Sequence, residues 1–122
     1  MKIKLILTVF AALLLAQNAQ AGTATGKVSR TYVLAHCPTV TTQPPCNTAI
    51  VVLNVAITNP PACATQTAEW AYTLDTAAGK ANFNAILHAQ AVGATVTVVG
   101  DGTCTAWPDR ERPLFITFAY PQ

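Results

Sequence analysis

Residues 69–104 read EWAYTLDTAAGKANFNAILHAQAVGATVTVVGDGTC, and two hydrophobic periods meet inside them. In Trp70-Ala71-Tyr72-Thr73-Leu74 the large apolar residues fall at every second position, the period of a half-buried strand. Phe83, Ile86, Leu87 and Ala91 then fall at i, i+3, i+4 and i+8, one face of a helix. Asn82, Asn84, His88 and Gln90 lie largely off that face. Asp75 or Thr76 is the expected N-cap, and Gly79 weakens the first turn. Gly93 stands where a left-handed residue ends a helix. Val96 and Val98 resume the strand period, and Gly100-Asp101-Gly102 stops it as a turn. The stretch is strand–helix–strand.

Three further strands are expected outside it. Lys27 to His36 reads as the first, with Val28, Tyr32 and Leu34 on one face. Ala49 to Thr58 is the second, with Val51, Leu53, Val55 and Ile57 on one face and Ile50 and Val52 on the other; Asn59-Pro60-Pro61 ends it. Leu114 to Tyr120 is the fifth, alternating Leu114, Ile116, Phe118 and Tyr120 with Phe115, Thr117 and Ala119. The order β-β-β-α-β-β implies a mainly β protein. The five-stranded OB-fold-like barrel, with its helix between strands three and four, carries that order. A generic β-sandwich or an α+β roll fits the same string. In the OB-like reading the connections after strands one and four flank the recognition surface. Here they are the two long ones, Cys37–Cys46 and Gly100–Pro113.

The chain of 122 residues divides into 1–21, a signal peptide, and 22–122, a single domain. Lys2 and Lys4 form a basic n-region, Leu5 to Ala16 is apolar but for Thr8, and Ala19-Gln20-Ala21 is a small-x-small cleavage site. The apolar run is too short for a stable membrane span. Cleavage after Ala21 removes two of the seven Lys and Arg residues. Lys27, Arg30, Lys80, Arg110 and Arg112 then balance Glu69, Asp75, Asp101, Asp109 and Glu111. A domain without net charge and with few basic residues argues against nucleic acid. The product is periplasmic or secreted. Gly22 to Gly26 reads as a flexible end; GTATGK lacks the spacing and the Ser or Thr of a phosphate loop.

Four cysteines in an exported chain imply two disulfides. Three connectivities are open; Cys37–Cys46 and Cys63–Cys104 are favoured, contributing roughly 3 and 4 kcal/mol by the loop-entropy relation. Zinc is the rival for these cysteines with His36 and His88, but the spacing matches no usual zinc pattern, and no metal or other cofactor is expected. Catalytic equipment is scarce. Ser29 is the single serine, no G-x-S-x-G is present, and oxidised cysteines leave no thiolate. The chain reads as a binding domain, not an enzyme. Trp107, Asp109, Arg110 and Arg112 are the candidate ligand residues, because an aromatic face and arginine forks suit hydroxylated or carboxylated ligands. Thr41 and Gln43 of the first long loop could add hydrogen bonds. The plain structural alternative is that Trp107 caps the barrel and Asp109-Arg110-Glu111-Arg112 is a solvated loop.

Residues 85–107, AILHAQAVGATVTVVGDGTCTAW, resemble the helix–Gly–strand–Cys segment of small exported bacterial proteins. They also resemble, more faintly, the same segment in B subunits of AB5-type toxins of the subtilase-cytotoxin and pertussis-like groups. The likeness runs from about Trp70 to Glu111, and its specific parts are Leu87-x-x-Gln90-Ala91-x-Gly93 and the run from Val96 to Cys104. It implies a disulfide-bonded OB-fold, a homo-oligomeric ring and a glycan partner, and it assigns no glycan-contacting residue here. The second expectation is an envelope protein-interaction or inhibitor domain that meets an envelope or host protein through the stiff Cys37–Cys46 loop. Peptide mapping of the unreduced mature protein should yield the pairs Cys37–Cys46 and Cys63–Cys104; any crossed pair would remove the stiff local loop.

Overall fold

The computed structural model describes residues 20–34 and 47–122. The expected Cys37–Cys46 pair, Thr41, Gln43, His36 and residues 1–19 of the expected signal peptide lie outside the described residues. The elements are β1 (Thr23–Leu34), β2 (Thr48–Leu53), β3 (Glu69–Thr73), α1 (Ala77–Val92), β4 (Thr95–Gly100) and β5 (Pro113–Ala119). The five strands form one antiparallel sheet in the order β3-β2-β1-β4-β5. The edge strands β3 and β5 form no ladder with each other, so the sheet is not closed into a barrel. One parallel bridge, Trp70 with Glu111, joins β3 to the residues just before β5.

β1 holds the sheet together by changing partner. Thr23–Lys27 pairs with β4 and Val28–Leu34 with β2. The register shifts between Val28 and Arg30, the mark of a bulge that bends a strand and sharpens its twist. The serine at the bend uses its hydroxyl locally: Ser29 Oγ donates to the Val52 carbonyl at 3.1 Å. The residues expected to be a flexible end, Gly22 to Gly26, are therefore wrongly read from sequence. Gly22 is buried and Thr23–Gly26 is sheet. Small, polar residues hid a strand whose neighbours come from the far end of the chain.

The helix follows the local signals at both ends. Thr76 is the N-cap and its hydroxyl accepts from Gly79 N–H at 3.0 Å. Gly93 is left-handed at φ 68°, its N–H reaches the Gln90 carbonyl, and Ala94 N–H reaches Ala89. That pair of bonds is the Schellman arrangement. The buried face differs from the expected one. Ile86, Ala89 and Gly79 are buried and Phe83 is half-buried, whereas Leu87 is 41% exposed and Ala91 is exposed. Ala89 and Gly79 replace Leu87 and Ala91 because the helix lies across β1, where Thr31 Oγ1 donates to Gln90 Oε1 at 3.0 Å, and its first turn meets the end of β3. A Cβ at Gly79 would overlap the Thr73 carbonyl oxygen.

Two apolar layers sandwich the middle of the sheet. The larger lies under α1 and joins Val51, Leu53, Trp70, Tyr72, Ile86, Val96 and Val98. The smaller lies on the opposite face, where Ile50, Ala71 and Ala106 meet Tyr32, Val52 and Trp107. β2 is buried on both faces, which explains its continuous apolar run. The lid of the second layer is the connection between β4 and β5. The Cys63–Cys104 disulfide, with 6.1 Å between Cα atoms, ties that connection to the loop before β3. The chain is thus a disulfide-stabilised, mainly β domain. Among the described residues no helix is long and apolar enough to cross a membrane.

Helix propensity alone says that Gly79→Ala stabilises by about 1 kcal/mol. The overlap with Thr73 reverses the sign, and we expect a loss of about 2 kcal/mol in chemical denaturation. A gain would mean that α1 can lift from β3 without cost.

Candidate functional site

The β4–β5 connection begins with a turn. Asp101 Oδ1 accepts from both Thr103 N–H at 2.9 Å and Thr103 Oγ1 at 2.7 Å. Asp101 N–H reaches the Arg112 carbonyl, and Arg112 N–H the Thr103 carbonyl, closing the loop's base. At its tip Trp107-Pro108-Asp109-Arg110 is a tight turn, with Arg110 N–H on the Trp107 carbonyl. The descending limb lies against β3 and the loop before it. Ala71 N–H donates to the Glu111 carbonyl, and Thr65 and Gln66 N–H to that of Asp109.

Three of the four described candidate residues meet here, engaged with the protein itself. Trp107 is half-buried on Ile50, Ala71 and Tyr32's side of the sheet. Arg110 Nε donates to Glu69 Oε2 at 2.5 Å, and another of its nitrogens pairs closely with Asp109. Glu69 also accepts from Tyr32 Oη at 2.9 Å and from Arg30 at 3.4 Å, and the Arg30 guanidinium lies over the Tyr32 ring. Arg112 stands apart, with its fork on Asp101. Arg110, with all three of its nitrogens engaged internally and its side chain largely buried, has few donors left for an anionic ligand, whereas half-exposed Arg112 keeps more.

The charges respond accordingly. Burial pushes the Glu69 carboxyl up, but hydrogen bonds from Arg110 and Tyr32 and the nearby guanidinium charges outweigh it and hold it below the usual range. Burial and the bond to Glu69 push the Tyr32 hydroxyl up. Asp101 is held low in spite of burial by Thr103 and Arg112. A carboxylate held ionised by two or three donors is a poor base, so the cluster is equipped to fix the loop rather than to move protons. Glu69 and Tyr32 are the functional-looking residues that spacing did not indicate. They belong to different strands, and only the sheet register brings them to Arg110.

A concave site lies elsewhere, where β2, β3 and α1 converge. It is a cleft of about 530 Å3 lined by Asn47, Leu74, Asp75, Lys80, Phe83 and Asn84. Lys80, Phe83 and Asn84 sit at i, i+3 and i+4, on one face of the helix's first half. Asn47 is held in a left-handed conformation at φ 55°. Its carbonyl accepts from Leu74 N–H, and its amide donates to Asp75 at 3.1 Å. The cleft offers amide, carboxylate and ammonium groups beside one aromatic ring and one leucine. Its volume falls in the range of small-ligand sites. Among the described residues no group of three His, Cys, Asp or Glu side chains is placed to hold a metal ion. Compared with family models, curated proteins and solved structures, the chain matches none.

Because Glu69 is depressed, the stability it contributes is present above the ordinary glutamate value of about 4.3 and is lost as pH falls through its lower folded value. We expect Glu69→Gln to cost roughly 2 kcal/mol at pH 7 and to flatten the decline of stability below pH 4. An unchanged acid limb in thermal melts would show that the Arg110 cluster carries no folding free energy.

Proposed function

We propose that this chain is an exported binding domain that takes a hydroxylated ligand, of the glycan class, in the cleft between β3 and α1. The observation that carries this reading is the cleft's lining. Asn47, Asp75, Lys80 and Asn84 present donors and acceptors around Phe83, the mixture that pairs with sugar hydroxyls and packs on a sugar's apolar face. The resemblance of residues 85–107 to toxin B subunits supports the same class. The strand order, with its parallel bridge from Trp70 of edge strand β3 to Glu111 just before edge strand β5, supports an OB-like, partly open barrel. Disulfide Cys63–Cys104 suits a periplasmic or secreted protein. Trp107 with Arg110 is the competing site on the opposite face, and its arginine is engaged internally.

Self-association is a second reading, with one observation in its favour. β5 is an edge strand, and at its outer end Leu114 is 66% exposed beside a half-exposed Phe115. A second copy pairing along that edge would cover both, and balanced charges on the mature domain offer no net repulsion.

A glycan array probed with the mature protein tests the first reading. We expect retained glycans whose binding falls at least tenfold in Asn84→Ala and Lys80→Ala and is unchanged in Trp107→Ala. Loss in Trp107→Ala alone would move the site to the opposite face, and no retained glycan would overturn the class. Native mass of the same sample tests the second reading: a multimer that Leu114→Glu converts to monomer supports it, and a monomer excludes it.

A further inference from the structure

Glu111 is 0% exposed, yet no described cation pairs with it. Arg30 and Arg110 face Glu69 and Asp109, and Arg112 faces Asp101. The charged group nearest in effect is Asp101, of the same sign. An ionised carboxylate buried without a partner is costly enough that the group tends to neutralise or find a cation. Its described donors are two backbone nitrogens. Gly102 N lies 2.8 Å from Oε1, and Gly22 N lies 3.0 Å from Oε1 and 3.1 Å from Oε2.

Gly22 follows the small-x-small motif directly, and Gln20 and Ala21 are exposed. As an amide, Gly22 N has one hydrogen to divide between two oxygens at nearly equal distance. As a chain terminus it has three and a positive charge, so each oxygen receives one and the third points to the exposed side that Ala21 leaves. The surroundings fit a terminus of this size. A Cβ on Gly22 would collide with Glu111 and Ile57, and one on Gly100 would overlap the Glu111 carboxylate.

We propose that signal cleavage after Ala21 builds a structural site: the freed α-ammonium of Gly22 forms a buried ion pair with Glu111 and locks the β4–β5 connection against β1 and β3. Water hydrolyses the Ala21–Gly22 peptide bond in the export endopeptidase. Ala21 leaves with its carboxylate on the leader, and the Gly22 amine takes up a proton. The charge reaches Glu111 only then, so the uncleaved chain has the same fold with a weaker seam. Gly22 N–H also sits beside the Gly22 carbonyl that accepts from Gly100, and the Thr23 bonds with Thr58 adjoin it, so the pair anchors the start of β1 to two other segments. This inference rests on the export reading.

The test compares protein beginning at Gly22 with protein carrying Ala21 as one added residue, each with and without Glu111→Gln. We expect the Gly22 form to melt roughly 10 °C above the Ala21 form, and Glu111→Gln to erase the difference. Acetylation of the Gly22 amine at neutral pH should be at least tenfold slower in the native protein than in the unfolded chain, a reading that does not depend on any variant folding. Equal melting of the two forms, or an amine of ordinary reactivity, overturns the ion pair. N-terminal sequencing separates the two failures: a first residue other than Gly22 in the exported product overturns the cleavage site and the proposal with it, whereas Gly22 with a freely reactive amine overturns the ion pair alone.

Discussion

The carboxylate of Glu111 has no contact with solvent and is wrapped by three glycine backbones, Gly22, Gly100 and Gly102, which lie just before β1, at the end of β4 and in the turn after it. Burial pushes this carboxyl up, backbone hydrogen bonds from Gly22 and Gly102 pull it back, and Asp101 pushes it up again. A side chain under such opposing demands can tolerate very little displacement of its donors. Its place also sets where its own main chain runs. The Glu111 carbonyl takes the Ala71 N–H on β3, and Trp70 and Glu111 form the parallel bridge. One residue therefore positions the N-terminal strand, the β4 turn and the free edge of β3 together.

From that seam the rest of the second face follows. With its descending limb fixed on β3, the β4–β5 connection lays Ala106 and Trp107 over Ile50 and Ala71. Arg110 is carried to Glu69 and Tyr32, and Asp109 to Gln66. The disulfide Cys63–Cys104 secures the ascending limb to the same loop that the descending limb touches. Among the described residues the sheet then has packing on both sides, from α1 on one and from the β4–β5 connection on the other. Two buried polar atoms, Trp70 Nε1 and Tyr72 Oη, have no partner among the described residues, a cost of about 1–3 kcal/mol each. The apolar area those two rings bury under α1 offsets it, at about 25 cal/mol per Å2.

The same arrangement explains why the concave face is opposite the loop that looked like a binding site. Trp107-Pro-Asp-Arg-Glu-Arg carries an aromatic ring and four charges in sequence, a composition that reads as an exposed recognition loop. In space the ring is half-buried, Glu111 is inside, and both arginines answer carboxylates of the same domain. The cleft at Asn47, Asp75, Lys80 and Asn84 was invisible as a unit because its residues come from three elements. The hydrophobic period put Phe83 on the apolar face and Asn84 largely off it, and so gave no sign that the two line one cleft. Asn47 had no local signal at all.

What the sequence by itself determined is what neighbours along the chain decide. A cap at Asp75 or Thr76, the left-handed stop at Gly93, the alternation in β3 and β4 and the apolar start of β2 depend on local backbone preference and on hydrophobic period, so these were legible, although β2 ends at Leu53 and not at Thr58. The pairing Cys63–Cys104 was legible as one of few options. The tertiary structure alone decided that residues 23–26 are sheet, that Leu87 is outside and Ala89 inside, and that Glu111 is buried between two arginines that face away from it. Each of these depends on a partner more than thirty residues distant, or on how closely one element can approach another. Residue type and spacing describe what a side chain prefers in water; they do not say which backbone N–H will meet it after the chain has folded back.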